Sequence, residues 1–269
     1  MDKNTMTSSR LFIIKIGGNV IDDPDQLAGF LEKFAALPER KILVHGGGKI
    51  ATRMAADLGI QARMVDGRRI TDEQMLRVVT MVYAGLTNKQ LVATLQAKGC
   101  NAIGLSGADG NSITAVKRPV RDIDYGWVGD LHVDSVNATG LANLLEDGFT
   151  PVFSAITHDG QGQLLNTNAD TIASALAVAM AGMYPTSLVY CFEKKGVLRN
   201  IEDADSVIPE IPAGEFEQLK ATGVIADGMI PKLHNAFEAI SKGVSEVYVG
   251  SADDLQLLAQ QKFGTRMVE

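Results

Sequence analysis

Lys15 stands near the end of an apolar run, Leu11-Phe12-Ile13-Ile14-Lys15-Ile16, and two glycines, Gly17-Gly18, follow at once. Further on the design repeats: Lys41-Ile42-Leu43-Val44 runs into His45-Gly46-Gly47-Gly48, and a helical pattern begins near Lys49. A glycine turn between a strand and a helix leaves bare backbone N–H groups at a positive helix end, which suits phosphate or carboxylate. Two such turns, one beside a lysine, suit a site that holds two anionic partners at once. Transfer of a phosphoryl group between those partners is the chemistry this layout serves. Taken singly, each turn has a plain structural reading, because glycine is the default for tight turns.

Three further segments carry candidate groups. In Asp66-Gly67-Arg68-Arg69-Ile70-Thr71 an arginine just before a helix can clamp a carboxylate through two parallel hydrogen bonds; the alternative is a solvated turn charge. In Leu165-Asn166-Thr167-Asn168-Ala169-Asp170, Asn166, Asn168 and Asp170 sit at alternate positions and point the same way if the backbone is extended. One of them suffices to cap the helix that follows, so three exceed what capping needs. In Ile225-Ala226-Asp227-Gly228-Met229-Ile230-Pro231-Lys232 a turn leads into a helix with Lys232 in its first turn. A cation is electrostatically misplaced there, and a bound phosphate would supply the reason for it.

Strands and helices alternate almost throughout, the pattern of an α/β fold with a largely parallel sheet. The expected strands are Leu11–Ile16, Ile42–Val44, Ala102–Ser106, Thr150–Ile156, Ser187–Phe192 and Glu246–Val249. The expected helices are Pro24–Ala36, Ile50–Leu58, Asp72–Tyr83, Lys89–Lys98, Val136–Glu146, Thr171–Met183, Ala213–Ala221, Pro231–Lys242 and Asp253–Gln261. Thr71-Asp72-Glu73-Gln74 has the form of a capping box that starts the third helix. Gly110-Asn111-Ser112 and Asp159-Gly160-Gln161-Gly162 read as hairpin turns. No repeat, low-complexity segment or linker divides the chain, so two lobes would share one sheet, with the change near residue 180.

At 269 residues the chain can bury a large core, and its 46% hydrophobic and 21% charged content is ordinary for a soluble globular protein. A net charge of −7 argues against nonspecific nucleic-acid binding. Cys100 and Cys191 are too few for a disulfide framework or a structural zinc site. The first ten residues lack an apolar signal core, and the apolar stretch Thr171–Met183 is well short of the roughly 20 residues needed to span a membrane. A cytoplasmic protein without membrane contact is expected. Neither glycine turn fits a P-loop or a G-x-G-x-x-G fingerprint.

On the two glycine turns, Gly67-Arg68-Arg69-Ile70-Thr71, the Asn166-x-Asn168-x-Asp170 set, Asp227–Lys232 and the ending Gly264-Thr265-Arg266-Met267, the chain resembles the amino-acid kinase family, in order from about residue 11 to 268. The resemblance implies one domain over residues 1–269, a three-layer α/β/α sandwich, with a lobe at 11–180 binding an N-acylated glutamate and a lobe at 181–269 binding ATP. It implies transfer of the ATP γ-phosphoryl group to the side-chain carboxylate of that small-molecule substrate. Lys15 and Lys232 would flank the transferring group, backbone N–H groups of Gly17 and Gly47 would hold its oxygens, and Asp170 would orient both lysines. Arg69 would pair the α-carboxylate, Asn166 and Asn168 would meet the substrate's polar groups, and Gly47 with Gly48 would line the acyl end. ATP would lie along Glu193, Lys194, Lys195, Gly196, Val197 and Leu198 with Val224, Ile225 and Ala226. Magnesium would ride on its phosphates, with no metal held by the protein. His45 would shape its turn rather than move protons, since a glutamate-type carboxylate (reference pKa about 4.3) is already ionised at pH 7.

Two departures from the family pattern stand out. Glu193-Lys194-Lys195 replaces a more usual Asp-Val segment, and its lysines would contact ATP phosphates or be solvated. Arg68 stands where relatives often have an apolar residue; it is a surface arginine or a cation at the acyl end that would accept a more anionic acyl group such as succinyl, and the surface reading stands first. In the family that the chain resembles, arginine-inhibited members carry an added N-terminal helix that joins dimers into rings. The polar segment before the first strand is too short for it, so the resemblance implies a homodimer, paired through helices near Asp72–Lys98 and insensitive to arginine. A catalytically silent ligand-binding member of the fold is disfavoured by the presence of Lys15, Asp170 and Lys232. A sibling kinase acting on free glutamate or aspartate is the nearer rival; free glutamate would leave the acyl pocket empty, so a comparison of both substrates separates the cases.

Overall fold

The computed structural model describes residues 10–65, 67–200, 202–222, 224 and 229–269, with only the backbone at Pro231. Strand β1 (Leu11–Ile16) sends Leu11 and Ile13 into one core and Phe12, Ile14 and Ile16 into another. A run that is apolar on both faces is what a central parallel strand needs. Helix α1 (Gly18–Asp22) follows, then α2 (Pro24–Ala36), which Asp23 caps by accepting from the N–H groups of Asp25 and Gln26. The second strand–glycine–helix unit is β2 (Arg40–Val44) and α3 (Gly48–Asp57).

A small hairpin of β3 (Met64–Val65) and β4 (Arg68–Arg69) leads to α4 (Glu73–Val79). That helix runs on through a π-helical stretch, Thr80–Thr87, straight into α5 (Asn88–Ala97). Next come β5 (Ala102–Leu105), the short pair β6 (Val116–Lys117) and β7 (Gly129–Asp130), α6 (Ala138–Glu146) and β8 (Thr150–Phe153). The hairpin β9 (Ile156–His158) and β10 (Leu164–Asn166) precedes α7 (Ala169–Ala181). The remainder is β11 (Thr186–Phe192), β12 (Glu210–Pro212), α8 (Ala213–Ala221), α9 (Ile230–Ser241), β13 (Glu246–Ser251), a 3-10 stretch Ala252–Gln260 and β14 (Thr265–Val268).

Eight strands form one sheet in the order β12-β14-β13-β11-β1-β2-β8-β5, parallel except where β13 meets β14. Helices α3, α4, α6, α7 and α9 cover one face, and α1, α2, α5 and the 3-10 stretch cover the other. The result is the three-layer, largely parallel α/β fold that the alternation of elements implies. At its centre β1 and β11 pair along their full length, with Lys15 opposite Tyr190.

Four expectations are corrected. The strand expected over Thr150–Ile156 breaks after Phe153, because Ser154 N–H turns to Leu105 O while Ile156 joins the β9–β10 hairpin. Asp72, not Thr71, caps α4 by accepting from Met75 N–H; Thr71 is buried and its hydroxyl donates to Arg69 O. Asp109–Asn111 is a 3-10 turn rather than a hairpin turn, with Gly110 and Asn111 at φ 59° and 49°. The segment after β13 winds as a 3-10 rather than an α-helix. The turn at Asp159–Gly162 does connect a hairpin.

Candidate active site

Odd-numbered residues of β1 face α7, so Lys15 emerges on that side, and Asp170 meets it from the first turn of α7. Lys15 Nζ lies 2.7 Å from Asp170 Oδ1. An acidic residue is well placed there, since the helix N-terminus is its positive end. Asn168 is the N-cap: its Oδ1 accepts from the N–H of Asp170 at 2.8 Å and of Thr171 at 3.1 Å. The Asn-x-Asn-x-Asp run therefore divides its work, with capping at Asn168 and the ion pair at Asp170. Asn166, on β10, donates through Nδ2 to Thr71 Oγ1 at 2.9 Å and keeps its carbonyl oxygen free for other donors.

A cavity of about 260 Å³ is lined by Gly46, Gly47, Gly48, Arg69, Asn166 and Asn168 among others. Gly47 sits at φ +148°, and a Cβ there would lie 3.0 Å from the Tyr83 ring, so both backbone and space demand glycine. Arg69 is 8% exposed. Its Nη2 donates to Gly48 O at 2.8 Å and Thr52 Oγ1 at 2.9 Å, and Nη1 faces the Met75 sulfur at 3.8 Å. No carboxylate among the described residues lies within 4.0 Å of it. A buried cation without a counter-charge is costly, and an incoming carboxylate would remove that cost. Burial holds the Tyr83 hydroxyl above its usual pKa against the opposing effect of Arg69, so it remains a neutral donor in the same wall.

Behind the second glycine turn His45 is fully buried. Its Nδ1 lies 2.8 Å from Gly46 O and its Nε2 lies 3.0 Å from Asn88 Nδ2, which also donates to Val152 O at 2.9 Å. These partners assign the proton to Nδ1, donating to Gly46 O, with Nε2 accepting. Burial lowers the pKa to about 4, opposed by the bond to Gly46 and reinforced by the charge of Lys89. A neutral imidazole thus braces the turn.

A second cavity, of about 180 Å³, is lined by Phe192, Glu193, Lys194, Gly196, Val197, Leu198, Val224, Met229, Lys232 and Val249. Of the expected nucleotide residues that the structure describes, it gathers all but Lys195, whose ammonium pairs with Asp205 at 2.7 Å on the surface. Ile225 and Ala226, with Asp227 and Gly228, lie outside the described residues. Asn19 links the three segments: it donates to Glu193 and accepts from Lys49.

Two placements depart from expectation. The N–H of Gly17 is already committed to Cys191 O at 3.0 Å, so it is not free for a phosphoryl oxygen. Asp170 pairs with Lys15 but makes no ion pair with Lys232 within 4.0 Å; the Lys232 ammonium instead sits 4.1 Å from the centroid of the Phe192 ring. Sequence reasoning missed Asn19, Tyr83, Phe192 and the pair Arg118–Asp130. Only the last had a signal, opposite charges facing across the β6–β7 pair, where Arg118 Nε is 3.0 and 3.1 Å from the two Asp130 oxygens. Among the described residues no cluster of three or more His, Cys, Asp or Glu side chains could hold a metal ion.

The sequence model of the amino acid kinase family matches residues 10–251. The chain belongs to the amino acid kinase family. An acetylglutamate kinase of Cytophaga hutchinsonii is 57% identical over 262 residues, covering 96% of this chain and 98% of that one. An acetylglutamate kinase of Bacteroides thetaiotaomicron is 56% identical over 247 residues, covering 92% and 95%. Among solved structures, N-acetylglutamate synthase of Neisseria gonorrhoeae superposes with a TM-score of 0.80 at 21% identity, over 98% of this chain and 60% of that one. Carbamate kinase of Giardia lamblia, bound to AMP-PNP, superposes with a TM-score of 0.65 at 16% identity, over 98% and 100%. At those identities the likeness speaks for the amino acid kinase fold alone. Within this family member no helix of the described residues is long and apolar enough to cross a membrane.

Proposed function

We propose that the protein is an ATP-dependent kinase that phosphorylates the side-chain carboxylate of N-acetyl-L-glutamate, as a step of arginine biosynthesis. The names of its relatives at 55–58% identity support the substrate. The observation that carries the reading at this site is Arg69, a buried guanidinium whose wall also holds Gly47, Asn166 and Ala169, the last adjoining Asp170 of the Lys15–Asp170 pair in the chain.

In this reading Arg69 takes the α-carboxylate by two parallel bonds, Asn166 and Asn168 orient the acylamide, and Gly47 and Gly48 line the acyl end. The side-chain carboxylate is ionised at neutral pH and needs no base. One of its oxygens forms the bond to the γ-phosphorus as the bond from that phosphorus to the bridging oxygen breaks, and ADP leaves. The obstacle is the approach of two anions, so catalysis rests on alignment and on the charges of Lys15 and Lys232. ATP lies in the cavity of Glu193, Lys194, Gly196, Val197, Leu198, Val224 and Lys232, and magnesium arrives on its phosphates. The acceptor then belongs to the half at 11–180 and ATP to the half at 181–269. We also propose a cytoplasmic, arginine-insensitive homodimer paired through Asp72–Lys98. Met81 at 54% exposure and Leu86 at 43% support that pairing surface, and light scattering that gives a monomer or a hexamer would overturn it.

A second reading keeps the reaction and changes the acyl group to succinyl. It is favoured by the side of the acceptor cavity that carries exposed Arg68 and Arg118, whose buried Nη1 has no partner. That side adjoins a further hollow of about 470 Å³ which Arg121 also lines and to which neither glycine turn contributes. A terminal carboxylate on the acyl group would find cations there. One assay separates the readings: ADP release with Mg-ATP and N-acetylglutamate, N-succinylglutamate or free glutamate, with hydroxylamine trapping the acyl phosphate. Turnover of acetylglutamate ahead of the others is expected. Preference for the succinyl substrate installs the second reading, and silence toward both N-acyl substrates overturns the function.

A further inference from the structure

The acceptor side of the site uses carboxylates and carbonyls to hold its cations. Lys15 leans on Asp170, Arg118 on Asp130, and Arg69 on a backbone oxygen. Lys232 is held differently. Its ammonium lies 4.1 Å from the centroid of the Phe192 ring, well inside cation–π range. Lys15 Nζ lies 5.8 Å from that same centroid. One ring therefore faces the two lysines that the proposed function sets on either side of the transferring group.

The ring is itself fixed. Phe192 and Tyr190 project from the same face of β11 and stack with centroids 6.3 Å apart and planes 10° apart. Tyr190 is 5% exposed, and burial beside Asp170 raises its pKa so that it stays a neutral ring. The Phe192 edge also lies 3.9 Å from where a Cβ on Gly17 would be, so it reaches the first glycine turn as well.

We propose that Phe192 is a positioning residue for phosphoryl transfer, a π-face that holds Lys232 and draws it toward Lys15 without consuming its charge. A carboxylate in this place would occupy Lys232 N–H donors and cancel the charge that the phosphate must feel. The negative face of a ring attracts the ammonium through its quadrupole and leaves the donors on the far side for phosphate oxygens. It also lets two like charges converge on one locus before any anion arrives. The role that resemblance gives to Asp170 alone is thus divided between Asp170 for Lys15 and Phe192 for Lys232. This inference rests on the proposed function for the identity of the reaction.

The test replaces Phe192 with phenylalanines carrying one, two and three ring fluorines, which weaken the π-face stepwise with little change of shape, alongside Phe192→Tyr and Phe192→Leu. Expected is a stepwise fall in kcat across the fluorine series, ending about tenfold down, the scale of a partly desolvated cation–π contact. The KM for the N-acylglutamate should hold within about twofold, since Phe192 does not line its cavity, while Phe192→Tyr retains activity and Phe192→Leu falls as the trifluoro variant does. A flat fluorine series overturns the inference, whatever Phe192→Leu does. If the wild type turns over neither N-acyl substrate, the proposed function falls by itself. The series is then read as the Kd for Mg-ATP, expected to rise stepwise, and a flat series there overturns the platform.

Discussion

The two cavities of this molecule are built on opposite principles. Around Arg69 the wall is cationic and polar, with Arg69 held by Gly48 O and Thr52 Oγ1 and a glycine that admits no side chain. Around Lys232 the wall is mainly aliphatic, Val197, Leu198, Val224, Met229 and Val249, with charge from Glu193, Lys194 and Lys232. A cavity of the first kind discriminates by charge and hydrogen bonds, because a ligand lacking the right group leaves a buried donor unpaired. A cavity of the second kind accepts a flat apolar body by shape and fixes only its anionic end. Under the proposed function, the contrast places acceptor choice in the Arg69 wall and catalysis at Lys15 and Lys232.

The sharpest way to break that contrast is to remove the groups assigned to catalysis. Lys15→Ala and Lys232→Ala are each expected to lower kcat by about tenfold or more in steady-state assays of folded protein. Asp170→Asn should lower kcat more than it raises the acceptor KM, and near-normal turnover in any of the three would remove that residue from the chemistry. Next in size is Arg69→Lys, which keeps the charge and loses the planar fork. The acceptor KM should rise about tenfold while the KM for ATP stays put. A matching rise in both would show the cavities to be one site rather than two.

A third prediction concerns stability. The folded protein holds His45 neutral with a pKa of about 4, whereas the unfolded chain takes up a proton near the ordinary value of 6.5. His45 therefore costs nothing above pH 6.5, and stability falls as pH drops from 6.5 toward 4, by at most about 3 kcal/mol. Urea unfolding at pH 7 and pH 5 checks this, with His45→Asn as the reference that should lose less over the same interval. The smallest effect separates neighbours: Lys194→Ala should raise the KM for ATP measurably, and Lys195→Ala should leave it unchanged, because only Lys194 lines the aliphatic cavity.

Legibility in the sequence followed the range of the forces involved. β1 and α2 were readable to the residue, since a continuous apolar run ending at a glycine pair marks the one and the Asp23-Pro24 start marks the other. Lys15, Arg69, Asn166 and Asn168 were readable because each sits in a short segment whose local geometry fixes its direction. The helices over Asp72–Tyr83 and Lys89–Lys98 were readable but their joining was not, because nothing local announces that an α-helix widens into π turns at Thr80–Thr87 and carries Tyr83 into the wall around Arg69. The commitment of the Gly17 N–H to Cys191, and the Phe192 ring under Lys232, depend on β11 lying beside β1, partners far apart in the chain.

The sheet order has a consequence for how the chain is made. β12 sits at the sheet edge, and among the described residues its only strand neighbour is β14, with α8, α9 and β13 lying between them in sequence. On a ribosome, where chains emerge from the N-terminus, residues 210–212 leave the tunnel well before the strand that gives them a place exists. The half of the sheet made of β2, β8 and β5 can assemble on β1 while synthesis continues, but β12 must wait for Thr265–Val268. The aliphatic cavity, which Val249 of β13 helps to line, therefore receives its last residue after every residue around Arg69 has been synthesised.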